Sequence, residues 1–541
     1  MEKEEVYNKL FEVVIGCGPT DYNTLHAILS MSTYGEDPSV GGTHIKNIQP
    51  IKKLLKWLTE TEYENHDQQV WLTESLHNLC IASIQNKMLC CHYGLIKDIV
   101  DTLCCHERLQ KLSAEFLLKL IEILGQHSLS AEEMKILIKL LQNGSQENED
   151  DVAQFPYKSH IIHIISSIAK GDGFEHCRQY FDIQESTDGI SVPSIREWAS
   201  PVFGFTFHAW VRLDPLATSH GQIRRQLYCF YTNSGTGLEA FFIPNGTLVV
   251  ATAYKKEFLA TKLEDCPILD EQWHSITICQ AAGKRPFGVS QLVVYIDGAE
   301  RKTSSLKYPG LTEPFAYCQI GSELVRANAN SLTIDPSSKL SIIDNIKDAI
   351  KSSVPGVFAL PQYLKPANND PNVQWTMVGM EEIMWGKSSA LHGQLGLIYV
   401  FEDSLTANQV RILHNLGSNK TISSEQVLES QTESTDIMTK MIFNYLSRVC
   451  SNFICTNLAP SLISSFDGHT IATPFSTYDA KDVINCLGGI QVLFPLLETS
   501  LSDTSMVDSS YLSLSQEQQS RSFSVESENE WEMLPSSSFS D

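Results

Sequence analysis

Four groups of residues in this 541-residue chain have types and spacings from which chemistry is built. Gly379-Met-Glu-Glu-Ile-Met-Trp-Gly386-Lys387-Ser388 comes nearest to a phosphate loop, where backbone N–H groups cradle phosphate and a lysine follows. It puts six residues between the glycines where such a loop has four, and two of them are glutamates standing where phosphate would sit. That spacing predicts an ordinary loop. Cys90-Cys91-His92 and Cys104-Cys105-His106 repeat a triplet of metal-ligand types. Structural zinc recruits cysteines a few residues apart from loops or hairpins, whereas adjacent cysteines on a helix diverge by about 100°. The triplets are expected to be core thiols, and no metal ligand is assigned. Trp210, Trp273 and His274 could make a sugar platform or hold a catalytic histidine, but each falls in a strand pattern, where aromatics fill a sheet face. The chain has no G-x-S-x-G elbow, and Asp297 and Glu300 flank a hairpin tip instead of facing each other as an acid–base pair. No catalytic or cofactor-binding residue is assigned, and the chain is expected not to be an enzyme.

The fourth group lies in the tail. Ser527-Glu-Asn-Glu530-Trp531-Glu-Met-Leu534 sets an aromatic and an aliphatic residue three apart behind acidic residues. Such a segment can add a strand to a partner's sheet, with Trp531 and Leu534 in two pockets and Glu528 and Glu530 facing basic residues. It looks like the short motif by which trafficking and autophagy receptors dock ubiquitin-like modifiers. Glu530, Trp531 and Leu534 are candidate motif residues, and Ser524 and Ser527 candidate phosphosites whose added charge would strengthen docking. The plainer reading is a stray aromatic in a tail of which roughly a third is serine from Ser500 onward.

Positioning elements change period along the chain. From about 45 to 170 the apolar residues recur at helical spacing: Ile51, Leu54, Leu55 and Leu58; then Leu112, Phe116, Leu117, Leu120 and Leu124; then Met134, Leu137, Ile138 and Leu141. Ser130 suits an N-cap. Gly94 precedes Ile96, Ile99, Val100 and Leu103, and Gly488 precedes Ile490, Leu493, Phe494 and Leu497 at the same offsets. Glycine before such a helix permits a sharp turn and resembles the last helix of an armadillo repeat. One helical array split by an insertion is therefore expected. From Phe203 the period is two: Phe205, Phe207, Ala209 and Val211 on one face, Thr206, His208, Trp210 and Arg212 on the other. Further strands are expected at 226–232, 238–243, 247–253, 273–279, 292–298 and 395–401, with turns at Pro244-Asn245-Gly246 and Asp297-Gly298. Within the proline-punctuated excursion 323–390, Leu340, Ile343, Ile346 and Ile350 share one helical face, read as cover for the sheet edge. Residues 433–448 look helical.

Lys+Arg total 40 against Asp+Glu 64, a net charge of −24, which argues against duplex nucleic acid or an anionic membrane as main ligand. The N-terminus has no apolar signal region and no run is long enough to span a membrane, so the 14 cysteines are expected to stay reduced in the cytoplasm.

FTFHAWVRLDP (205–215), LDEQWHSITIC (269–279), LVVYIDGAERKTSS (292–305) and GQLGLIYVFEDSLTANQVRILHNLG (393–417) resemble a concanavalin A-like, laminin-G-type jelly roll. CLGGIQVLFPLLE (486–498) is similar to the stretch that follows that sandwich in neurobeachin-like proteins of the BEACH-domain family. The family's PH-like, BEACH and WD-repeat parts have no counterpart here, so a fragment or short isoform is expected. The resemblance implies an armadillo-like α-solenoid (1–185) interrupted by a concanavalin A-like antiparallel β-sandwich (190–420, with an insertion at about 323–390). A helical segment (425–499) would resume the solenoid before a disordered Ser-rich acidic tail (500–541). It implies a non-catalytic interaction scaffold in vesicle or membrane trafficking, cytoplasmic or peripheral on endomembranes, with trafficking or kinase-anchoring proteins as partners. A cytosolic carbohydrate-binding module is the alternative, and a jelly-roll hydrolase ranks last.

Overall fold

The computed structural model describes residues 21–38, 43–60, 66–141, 155–170, 177–195, 204–216, 222–283, 289–309, 313–323, 370–422, 433–459 and 466–494, less 186 and 255, together with 9, 11 and 13. The N-terminal part is a layer of helices: α1 (Tyr22–Met31), α2 (Gln49–Glu60), α3 (His66–Ile81), α4 (Ile84–His92), α5 (Leu95–Cys104), α6 (Lys111–His127), α7 (Ala131–Leu141) and α8 (Lys158–Lys170). Amphipathic periodicity drives their packing. In α2, Ile51, Leu54, Leu55 and Leu58 are buried while Lys52, Lys53 and Lys56 keep to the outer side. All four residues predicted for α7 are buried, and Ser130 forms a capping box: its hydroxyl accepts from the Glu133 N–H at 3.3 Å while Glu133 accepts from the Ser130 N–H at 2.9 Å. In α6 the buried stripe is wider than expected and leaves its first residue out. Leu117, Leu120 and Leu124 are buried as expected, but Leu112 is 52% exposed and the buried face also takes in Ala114, Leu118 and Ile121. Gly94 lies in the left-handed region (φ 69°), where a side chain would be strained, and so turns α4 sharply into α5. Behind it Ile96, Ile99, Val100 and Leu103 are all buried, as its sequence pattern predicts.

The strands are β1 (Gln179–Ile183), β2 (Ile190–Val192), β3 (Phe205–Leu213), β4 (Ile223–Thr232), β5 (Gly237–Phe242), β6 (Leu248–Tyr254), β7 (Glu257–Lys262), β8 (His274–Ala281), β9 (Gln291–Ile296), β10 (Ala299–Ser304), β11 (Phe315–Ile320), β12 (Val373–Met377), β13 (Lys387–Ser389), β14 (Gly393–Phe401), β15 (Met441–Tyr445), β16 (Cys450–Ser451), β17 (Ile454–Cys455), β18 (Gly468–Thr470) and β19 (Thr473–Ser476). One sheet runs β10-β9-β8-β3-β14-β1-β19, with β15 also on β14. The other runs β12-β7-β6-β5-β4-β11-β2-β18-β17-β16. Pairings are antiparallel apart from β13, which lies parallel to β4. The sheets share one core: Phe205, Phe207, Ala209 and Val211 of β3 meet Tyr228 and Phe230 of β4, with the Phe207 and Tyr228 rings 4.5 Å apart. Asp297 and Gly298 both have positive φ, which gives the predicted β9–β10 turn its matching twist. The opposite face of the first sheet is not open either. Tyr399 and Phe401 pack with Val410 and Leu413 of α10 (Ala407–Leu416), the helix that covers it.

Three further expectations change. The stretch 433–448 is not one helix: α11 (Glu433–Thr439) gives way to β15, whose Met441, Phe443 and Tyr445 alternate into buried positions beside β14. Period two fits because β1 pairs only with Gly393–Leu395 of β14 and β15 takes Ile398–Phe401 on the same strand. The helix that returns to the N-terminal layer lies before Gly488 instead of after it. It is α12 (Ala480–Leu487), which inserts Ala480, Val483 and Ile484 into the helical core against α7 and α8. Past Gly488 a short 3-10 turn leaves Ile490 and Phe494 exposed at 69% and 53%. Lastly, Cys104 and Cys105 are exposed where core thiols were expected, because they end α5 at the surface. The segment 338–351 lies outside the described residues, as do Ser524, Ser527, Glu530, Trp531 and Leu534.

Candidate interaction groove

Between the helical layer and the first sheet runs a groove of about 610 Å³. The end of α4 supplies Cys91, His92 and Tyr93; the starts of α5 and α7 supply Lys97, Asp98, Glu132 and Glu133. The sandwich supplies Tyr180 of β1 and the run Pro474–Tyr478 at the end of β19. The chain after β19 fastens the two walls: Tyr478 accepts from the Leu129 N–H at 3.3 Å and donates to the Ser128 hydroxyl at 3.0 Å. Aromatic rings line the floor. Phe475 meets His92 edge-on at 5.4 Å and stacks on Tyr180 at 6.0 Å, and Tyr180 leans on Trp273 at 5.4 Å.

Two polar atoms in this wall stand out. The Tyr180 hydroxyl and the Oε1 of Glu133 are buried and find no hydrogen-bond partner among the described residues. Buried polar groups in native proteins are nearly always satisfied, so each calls for a reason. Burial, then the nearby Asp182 carboxylate, pushes the Tyr180 phenol well above its usual range, so it is a proton donor. Glu133 has one oxygen committed to the α7 cap and the other left as an acceptor. Both residues line the groove, but these two atoms lie beneath its surface. Lys52 is already engaged, with Asp98 at 3.0 Å and the Tyr93 carbonyl at 2.6 Å.

Behind the groove a polar seam locks helices to sheet. Gln184 and Gln394 each donate to both Asp182 and Asp214, at 2.8–3.0 Å, and Gln85 of α4 donates to Asp182 at 3.1 Å. Burial raises the Asp182 pKa, with the Asp214 charge adding to it. Arg178 reaches Asp479 and Asp482 at the start of α12.

The residues singled out by type do not assemble. The Gly379–Gly386 loop is closed by Glu381, which accepts from the Gly379 N–H, and holds the one-turn helix α9 (Glu381–Trp385). Trp210 stacks on His414 at 5.8 Å under α10, while Trp273 sits away from it beside Tyr180. His274 lies between Asp297 (2.8 Å) and Asp270 (3.1 Å), one carboxylate per ring nitrogen, a geometry that holds the ring instead of a ligand. The described residues contain no group of three or more His, Cys, Asp or Glu placed to hold a metal. Sequence reasoning missed the groove because its floor comes from β1 and β19, two short strands without long alternating runs.

No family model matches the chain. Among curated proteins it is similar to a BEACH domain-containing protein B of Arabidopsis thaliana (21% identical, covering 73% of this chain and 12% of that protein) and to a putative neurobeachin homolog of Caenorhabditis elegans (21%, covering 84% and 16%). The chain is a relative of the neurobeachin-like BEACH-domain proteins. It spans between a tenth and a sixth of the length of these BEACH-domain relatives. Among solved structures, a putative carbohydrate binding protein from Bacteroides ovatus aligns over 56% of this chain and 60% of its own at 12% identity and a TM-score of 0.28, too low to bear on what this relative of BEACH-domain proteins binds. No described helix is long and apolar enough to cross a membrane.

Proposed function

We propose that the chain is a non-catalytic scaffold segment whose groove receives an extended stretch of a protein partner, in the membrane-trafficking setting that the BEACH-domain relatives suggest. The reading takes the helical layer as armadillo-like, resumed by α12, and the two sheets as a concanavalin A-like sandwich, cytoplasmic or peripheral on endomembranes. The observation that carries it is the aromatic-lined groove between the helical layer and the first sheet, which Tyr180, Phe475 and Glu133 help to line. The test is site-specific photocrosslinking in cells with benzoylphenylalanine at Tyr93, half-exposed in the groove, and at Leu112, equally exposed but outside it. Discrete protein adducts from position 93 and none from 112 are expected. Equal, diffuse labelling from both positions would overturn the reading.

A further inference from the structure

We propose that Cys450 and Cys455 form a reversible disulfide, a modification site at the outer end of the second sheet. The hairpin that carries them has a two-residue loop, Asn452-Phe453, with φ of 50° and 66° at the two positions. Paired positive φ is the signature of a type I′ turn, whose twist suits the flanking strands. In such a hairpin the residues next to the turn, here Ser451 and Ile454, exchange both backbone hydrogen bonds. The next pair outward is the close, non-hydrogen-bonded pair, and that pair is Cys450 and Cys455. Directly opposed residues of this kind stand about 4.5 Å apart at Cα, inside the range of about 4.4–6.8 Å that a disulfide accepts. Side chains of a directly opposed pair leave the same face. Cys455 belongs to the sandwich core and Cys450 packs against the same cluster, so both thiols point inward together.

Both are free thiols in the structure. Cys450 is partly accessible and Cys455 fully buried, which makes Cys450 the point of entry. The chemistry balances with a low-molecular-weight disulfide such as oxidised glutathione as oxidant. The Cys450 thiolate attacks one glutathione sulfur and expels the other half as a thiol. The Cys455 thiolate then attacks the Cys450 sulfur of the mixed disulfide and expels the second. The protein loses two electrons and two protons, and the oxidant becomes two thiols. Burial holds both protein thiols above the usual cysteine range, so exchange is slow at neutral pH and speeds up as pH rises. The bridge would staple β16 to β17, and through β18 to β2, beneath a tip where Phe453 and Ile454 are exposed at 62% and 47%.

The sequence makes the site easy to read. Trypsin cuts after Arg448 and Lys481, and the peptide 449–481 contains only these two cysteines. Native full-length chain is equilibrated at about pH 8.5 in excess oxidised glutathione, alkylated and digested. The expected product is peptide 449–481 two hydrogens lighter, without alkyl groups, and restored by dithiothreitol. Cys455→Ser should instead leave a stable glutathione adduct on Cys450. The proposal is overturned if the native chain yields the doubly alkylated peptide, if Cys450 carries glutathione while Cys455 stays free, or if the crosslink forms only in urea.

Discussion

Replacing Glu239 by glutamine should cost the sandwich more than any surface substitution, because it strands a charge. Arg224 of β4 and Glu239 of β5 face each other with Nη1 and Oε1 3.2 Å apart, and their side chains are 1% and 0% exposed. The Arg224 guanidinium also lies 5.3 Å from the centre of the Phe241 ring. Removing one member of a buried ion pair costs on the order of 3–5 kcal/mol, since the survivor keeps its desolvation penalty without its partner. That is a large share of the roughly 5–15 kcal/mol by which a domain is stable. Removing both charges is a different experiment. A well-packed apolar pair of similar volume is often neutral or stabilising, so Arg224→Met/Glu239→Leu should lie much nearer wild type than Glu239→Gln. The assay is urea unfolding followed by tryptophan fluorescence and far-UV circular dichroism, comparing midpoints at unchanged slope. A single variant costing under about 1 kcal/mol, or a double variant as unstable as the single, would refute the stranded-charge argument.

Other substitutions probe separate links. His274 is held by Asp297 and Asp270, which raise its pKa above 6.5, so protonated His274 stabilises the fold below pH 6.5 and loses that effect as pH rises through the folded value. With both carboxylates over a third exposed, solvent screening limits this to about 1 kcal/mol, and thermal melts should show His274→Gln lagging wild type only on the acid side. Gly94→Ala meets no atom within 4 Å and should cost only the left-handed backbone strain, about 1–2 kcal/mol, with Gly94→Asn milder, as read from urea midpoints. Arg178→Ala frees Asp479 and Asp482, so amide exchange in Ala480–Leu487 should speed up well before exchange in β14 changes.

Much of this fold is legible in sequence wherever one period runs long. The nine-residue alternation of β3 and the stripe of α7 are written in their own residues, and the structure places them as expected. Legibility fails where an element is defined by its neighbour. β16, β17 and β18 are two or three residues long, too short to show a period, and exist because β2 offers a sheet edge. Leu112 fits the helical pattern of α6, but it lies in the first turn and is 52% exposed. The groove was least legible of all, since Tyr180 and Glu133 are 47 positions apart and neither belongs to a motif.

The coupling between the two layers follows from the path of the chain. β19 ends at Ser476 and α12 begins at Ala480, so three residues carry the chain from the edge of the sheet into the helical core. Within that link Tyr478 bonds to the turn between α6 and α7, and Asp479 both caps α12 and pairs with Arg178 of the strand-side wall. A short link bonded at both ends cannot let the sandwich swing away from the helices without breaking these hydrogen bonds. The groove between them is therefore preorganised, and a peptide entering it would lose its own freedom without also having to order the walls.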